Sequence, residues 1–324
     1  MIGILLVNLG TPDAPTTPAL RRYLREFLSD PRVVEIPRIL WWPILNGPIL
    51  LTRPARSARA YRKVWMEDGS PLLVYSQRLA SKLQKEFDTH SPNRFRVQLA
   101  MRYGTPSIQS GLEALRELGC EQLLVVPLYP QYAAATTATT FDAVAKILQH
   151  WRNLPELHLV RSWHQDPRYI EALARSVREY WQEHGQPDRL LISFHGLPER
   201  NVTLGDPYRQ ECETTTALLV KALGLTDDQW LQTFQSRFGP ARWLQPYTDK
   251  TLEQLGSQGV GRVDCLCPGF ASDCLETLEE IAMGGKEVFL HAGGKSFHYI
   301  PALNDQSAWA RDFCGILLDH LPGQ

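Results

Sequence analysis

Four common catalytic signatures are missing from this chain. Neither Gly-x-Gly-x-x-Gly nor Gly-x-x-x-x-Gly-Lys-Ser/Thr occurs, so an enzyme working on a nicotinamide or a nucleotide has no phosphate loop to stand on. His-Glu-x-x-His and Gly-x-Ser-x-Gly are absent too. Charge of one sign is also lacking. The formal net charge is −1, without the basic excess that nucleic-acid binding normally shows. There are six cysteines, too few in 324 residues for a disulfide framework, and reduced thiols in a cytoplasm fit better. Cys265 and Cys267 lie two apart on an expected strand and point the same way, and no Cys-x-x-Cys pair accompanies them. An apolar run begins at Ile2 with no basic leader before it, so no secretory signal is expected. The longest greasy stretch, 33–51 (VVEIPRILWWPILNGPILL), is interrupted by Pro37, Pro43 and Pro48 and carries Glu35 and Arg38. These breaks exclude a spanning helix and predict a loop or short helices with exposed apolar area. A hairpin folded into the core is the plain alternative.

What is present is a soluble composition, 44% hydrophobic and 21% charged, in a chain long enough for two domains. Strands are expected at 2–9, 95–101, 122–128, 190–195 and 262–267, those at 2–9 and 190–195 of the buried type and that at 95–101 alternating, with short strands at 157–161 and 231–235. Helical spacing is read at 17–28, 72–87, 107–118, 140–150, 167–184, 208–223, 248–256 and 306–320. Strands alternating with helices predict βαβ units and parallel sheets buried on both faces. Residues 4–12 (ILLVNLGTP) parallel 190–198 (LLISFHGLP), each a buried strand ending x-Gly-x-Pro. Two similar α/β domains with a cleft between strand ends are inferred: an N-terminal domain 1–130, a C-terminal domain 131–305, and a helix at 306–324 packing back on the body.

The chain is organised around ISFHGLPER at 192–200. His195 stands where a buried strand stops, and ligands of open α/β sheets bind beyond such ends. An imidazole there can exchange a proton near neutral pH or bind a metal, although a histidine that merely closes a strand is the bland reading. Residues 268–280 (PGFASDCLETLEE) follow another buried strand. Asp273, Glu276 and Glu280 fall at i, i+3 and i+7, one face of a helix, where carboxylates repel unless a cation or the helix N-terminus offsets them. Asp273 with Glu276 also reads as a capping pair. A histidine facing such a row can hold a divalent metal and move protons. Arg53, Arg56, Arg59 and Arg62 recur every three residues, a row suited to carboxylates or phosphates or simply a solvated face.

The motifs LLVNLGTPDAP, AMRYGTP, PLYPQY, ISFHGLPER, GDPY, FQSRFGPARWLQP and PGFASDCLETLEE occur in order between about residues 2 and 304. Together they resemble ferrochelatase of the bacterial type. The resemblance implies a fold of two similar Rossmann-like domains, each a parallel four-stranded sheet flanked by helices. It implies insertion of ferrous iron into protoporphyrin IX, the last step of protoheme synthesis. The family's histidine and catalytic glutamate fall on His195 and Glu276, the expected metal contacts. Asp273 and Glu280 match its acidic relay. Porphyrin contacts fall on Leu9, Arg102, Tyr103, Tyr129, Trp243 and Phe270, with Arg53, Arg56 and Ser70 near the propionates. The segment 33–63 would form the lip of the porphyrin pocket, with peripheral membrane contact through 33–51. Leu9 replaces a residue that faces the porphyrin in relatives, and leucine cannot ligate iron. Cys274 stands where some relatives carry a second histidine. Ala134 occupies an internal cluster-ligand position and the chain ends at Gln324, so no iron–sulfur cluster and no permanent cofactor is expected. The location is expected to be cytoplasmic, on the inner membrane face where it touches a bilayer, and a monomer is the default. The alternatives are a chelatase for coproporphyrin or cobalt, and a porphyrin-binding protein without chemistry.

Overall fold

A computed structural model describes residues 1–321. Its first elements are β1 (Ile2–Gly10), α1 (Thr17–Leu28), α2 (Arg38–Ile44), α3 (Leu50–Val64) and α4 (Pro71–His90). There follow β2 (Phe95–Tyr103), α5 (Ile108–Glu117), β3 (Gln122–Pro127), α6 (Thr139–Leu148) and β4 (Glu156–Leu159). All four strands are parallel, in the order β2-β1-β3-β4. Leu5 and Val7 of β1 join Leu112, Leu115, Val144 and Leu148 of α5 and α6 in one apolar cluster. The alternate residues Ile4 and Leu6 are equally buried, and α4 packs along β2 and β1. Burial on both faces explains why β1 is a continuous apolar run rather than an alternating one.

The second set begins with α7 (Pro167–His184), β5 (Arg189–His195), α8 (Glu199–Thr203), α9 (Tyr208–Leu223), β6 (Trp230–Gln235) and α10 (Thr248–Ser257). It continues with β7 (Arg262–Leu266), a π-helix (Glu276–Gly285), α11 (Lys286–His291) and β8 (Ser296–Ile300). Its strands are also parallel, in the order β6-β5-β7-β8. Counted within each set, both sheets therefore run 2-1-3-4, and the two strands that echo each other in sequence, β1 and β5, hold the same place. The expected pair of similar Rossmann-like domains is present. The last helix, α12 (Ser307–Asp319), packs on α4, and Lys82 of α4 pairs with Asp305 at 2.9 Å.

Three expectations are adjusted. The compact units are 1–162 with the chain from Asp305 onward, and 163–304, rather than 1–130 and 131–305. The reason is that α6 and β4 complete the first sheet, β4 pairing with β3 from Gln122↔Glu156 to Val125↔Leu159. Residues 322–324 of the expected terminal helix lie outside the described residues. The residue pattern predicts seven strands, whereas β8 makes an eighth. Its Ser-Phe-His-Tyr-Ile alternates at a sheet edge and lacks the apolar continuity of the central strands. The acidic row does not sit on one face of an α-helix. The helix is a π-helix that starts at Glu276, and Asp273 precedes it.

The greasy segment resolves into α2, a wide turn at Leu45–Ile49 broken at Gly47, and the start of α3. Trp41, Leu45 and Leu50 face inward, and the Trp41 indole donates to the Leu28 carbonyl at 2.7 Å. Ile39, Leu40, Trp42 and Leu51 are exposed, Ile39 by 88%. Among the described residues no helix is long and apolar enough to cross a membrane.

Candidate active site

In both parallel sheets the strand order reverses between the first and third strands of the set, so the crevice for a ligand lies beyond the carboxyl ends of those strands. In the second unit these are β5, ending at His195, and β7, followed by the turn in which the Phe270 amide donates to the Cys267 carbonyl at 3.2 Å. The His195 and Phe270 rings lie 6.5 Å apart between centroids. His195 is half-buried, and its Nδ1 is 2.7 Å from the Gly196 carbonyl. A carbonyl oxygen only accepts, so Nδ1 carries a hydrogen and Nε2 holds the lone pair of the neutral ring. A side chain at position 196 would press on the Gln235 carbonyl at 2.8 Å and the Trp243 ring at 3.2 Å, so glycine lets Trp243 close on this turn. The Trp243 indole donates to the Phe238 carbonyl at 2.9 Å, which sets the ring's direction.

The three carboxylates have three different surroundings. Asp273 is buried and accepts hydrogen bonds from Thr277 Oγ1 (2.8 Å), Tyr299 Oη (2.6 Å) and Asn304 Nδ2 (2.7 Å). It caps no helix amide, because the π-helix begins beyond it at Glu276, with Leu275 in the N-cap position. Glu276 opens the π-helix and is half-buried. Glu280 accepts from the Ser236 amide at 2.7 Å and from Ser236 Oγ at 2.5 Å. Burial raises the Glu280 pKa. The Ser236 hydroxyl, and His195 when its ring is protonated, oppose this, Glu276 adds to it, and the net position is above the ordinary 4.5. Glu280 thus lies within electrostatic reach of both His195 and Glu276. A carboxyl lifted in this way, beside a histidine with a free lone pair, suits proton transfer. Burial, together with Glu276, pushes the neighbouring Cys274 thiol up. Among the described residues no three histidine, cysteine, aspartate or glutamate side chains form a group that could hold a metal ion.

The first unit uses several expected contacts internally. Tyr103 is 1% exposed and donates to Asp30 at 2.9 Å. Arg102 is committed to Asp30 at 2.5 Å and to Thr139, its guanidinium lying over the Tyr103 ring. Burial works to raise Asp30, but hydrogen bonds from Thr139, the Arg32 amide and Tyr103, with the Arg102 charge, hold it below the ordinary aspartate value. Ser70 is 1% exposed and caps α4 by accepting from the Leu73 amide at 3.3 Å. Leu9, Tyr129 and Arg53 are half-buried, and Arg56 is exposed on α3. At Gly10 (φ +115°) a Cβ would stand 1.8 Å from the Tyr103 carbonyl, so only glycine lets β1 and β2 end together behind Leu9.

The ferrochelatase family model matches residues 1–321. The chain belongs to the ferrochelatase family. A ferrochelatase from Azoarcus sp. is 60% identical over 307 residues, covering 95% of this chain and 84% of its own length. One from Thioalkalivibrio sulfidiphilus is 54% identical over 323 residues, covering 100% and 88%. The function of the family is iron insertion into a porphyrin in heme biosynthesis, and the enzyme is a lyase. Solved chelatases share the fold at low identity. SirB from Bacillus subtilis, solved with Fe3+, superposes with a TM-score of 0.57 at 12% identity, covering 99% of this chain and 96% of its own. CbiX, a terminal enzyme of siroheme biosynthesis, gives 0.53 at 13% identity, covering 98% and 99%. Nothing in the sequence marks Gln235 and Ser236 as part of this candidate site. They lie in the FQSRF stretch but are uncharged and follow no period. Their place emerges only when β6 is set beside the π-helix.

Proposed function

We propose that the site at the ends of β5 and β7 inserts ferrous iron into protoporphyrin IX to give protoheme. The observation that carries this reading is His195, with its Nδ1 engaged by the Gly196 carbonyl and its Nε2 left for a proton or the metal, within reach of Glu280. Insertion replaces two pyrrole hydrogens by one Fe2+, so two protons must leave the macrocycle. His195 accepts a pyrrole proton at Nε2 or briefly ligates the entering iron. Glu276, with Glu280 behind it, passes protons away or brings the cation. Asp273 was expected in this relay, and its buried hydrogen bonds support an anchoring part instead. Phe270 and Trp243 provide apolar walls, whose contact energy helps hold the ring bent toward the reactive geometry. Arg53 and Arg56 on α3 hold propionates as charge-assisted pairs.

The exposed Ile39, Leu40, Trp42 and Leu51 support a peripheral contact with a bilayer, which for the expected cytoplasmic enzyme is the inner membrane face. The test of the reaction is anaerobic mixing of the protein with protoporphyrin IX and Fe2+, following loss of porphyrin fluorescence over many turnovers. Coproporphyrin III and Co2+ are run in parallel. Faster turnover of either would replace the substrate named here, and stoichiometric binding without product would make the protein a carrier.

A further inference from the structure

Strand β6 ends in two uncharged residues that hold the acidic segment in place. Gln235 is 4% exposed, and its backbone carbonyl accepts the Gly196 amide at 2.7 Å. Its side-chain Nε2 donates to the Glu276 carbonyl at 2.9 Å. Its Oε1 accepts from Ser193 Oγ at 2.8 Å and from the Cys267 thiol at 3.5 Å. Ser193 is in turn 2.8 Å from Thr248 Oγ1, which donates to Thr233 at 2.9 Å, all within the interior. One buried amide therefore ties the turn after His195 to the first residue of the π-helix. A satisfied network of this kind rigidifies what it touches.

Ser236 continues the device. Its φ is +65°, a left-handed conformation that a side chain disfavours and that persists only where the surroundings impose it. In that conformation the Ser236 amide donates to one oxygen of Glu280 and its hydroxyl to the other. Glycine would take the backbone angle more easily, but only a side chain supplies the second donor.

We propose that Gln235 and Ser236 are positioning residues for metal insertion, a clamp that sets where Glu276 and Glu280 stand relative to His195. The inference rests on the reading of His195 and Glu276 given above. Neither residue needs to touch substrate. Gln235 fixes the backbone from which Glu276 projects, and Ser236 fixes the Glu280 carboxylate itself. Displacing a catalytic group by 1 Å costs roughly 10²-fold in rate, so a clamp of this kind acts on kcat rather than on porphyrin affinity.

The experiment is a double-mutant cycle on the full chain: wild type, S236G, E280Q and S236G/E280Q, with Q235M and S236N alongside. Anaerobic turnover of protoporphyrin IX and Fe2+ gives kcat and KM, and thermal unfolding is measured on the same samples. S236G is expected to lose about tenfold or more in kcat, the scale of a hydrogen bond to a charged group, with porphyrin KM held within about twofold. Q235M should show the same split. S236N should recover part of the loss, because asparagine tolerates the left-handed region and offers an amide donor. In the E280Q background, S236G should add almost nothing. Additive losses, a change confined to KM, or wild-type kcat in S236G would overturn the clamp. Should S236G fail to fold, Q235M leaves the Ser236 backbone untouched and carries the same expectation of lower kcat at unchanged porphyrin KM. A wild type that never turns over would overturn the functional reading instead. The thermal-stability cycle then still reports whether Ser236 and Glu280 are coupled.

Discussion

At the scale of single residues, His195 owes its usable lone pair to a neighbour, since the Gly196 carbonyl engages Nδ1 and leaves Nε2 outward. His195→Ala removes both a base and a transient ligand. Its kcat for iron insertion should fall by roughly 10²–10⁴, the usual worth of general-base help, while porphyrin still binds. Anaerobic turnover and a porphyrin fluorescence titration measure the two quantities separately, and near-normal turnover would sink the base role. Asp273 makes the opposite kind of case. As an anchor it gathers Thr277, Tyr299 and Asn304 in the interior. Asp273→Ala strands buried donors, at about 1–3 kcal/mol for each, so a loss of about 3 kcal/mol or more is expected in urea unfolding. A variant as stable as wild type would return Asp273 to the relay.

At the scale of elements, the π-helix carries a carboxyl that binds its proton more tightly in the folded chain than in the unfolded one. Burial is the main reason, with Glu276 adding to it against Ser236 and His195. A group with a raised folded pKa contributes stability that is complete below its unfolded value and is lost as pH rises through its folded value. Glu280→Gln has no such dependence. The melting-temperature difference, E280Q minus wild type, should therefore grow as pH rises from about 4 toward neutrality. A difference that shrinks over that range would contradict the raised pKa. This element also marks where sequence stopped being informative. The strands were legible because a parallel strand buried on both faces is a continuous apolar run, and His195 was legible because it ends one. The spacing of Asp273, Glu276 and Glu280 suggested an α-helical face, yet nothing in composition signals that winding becomes π-type at Glu276. The resemblance puts Arg102 and Tyr103 at the porphyrin, whereas their pairing with Asp30, which lies 72 residues from Arg102 in the chain, appears only once the chain is folded. Gln235 and Ser236 stayed hidden for a similar reason, being neutral residues whose partners belong to another element.

At the scale of the molecule, one strand order serves two units with different surfaces. The second unit carries the histidine and the acids at its switch point, and the first displays the outward side of 36–51. Ile39, Leu40, Trp42 and Leu51 are exposed there by 88, 61, 54 and 67%. Leaving them in water forgoes roughly 1.5–3 kcal/mol for each side chain that a bilayer would bury, several kcal/mol in all before ordering losses. The exposed Arg56, Arg59, Arg62 and Lys63 follow on α3, and basic groups near an anionic surface add about 1 kcal/mol each. These two contributions respond differently to salt. Sedimentation with vesicles containing anionic lipid should show binding that weakens as salt rises but does not vanish, since apolar insertion is not screened. The triple variant I39E/W42E/L51E should lose the salt-resistant part, a drop of at least tenfold in partitioning, with little change in melting temperature because all three side chains are already in water. Equal pelleting of variant and wild type would mean that this surface does not meet lipid. Binding abolished by salt alone would leave the basic row on α3 as the whole of the attraction and the apolar side chains as bystanders.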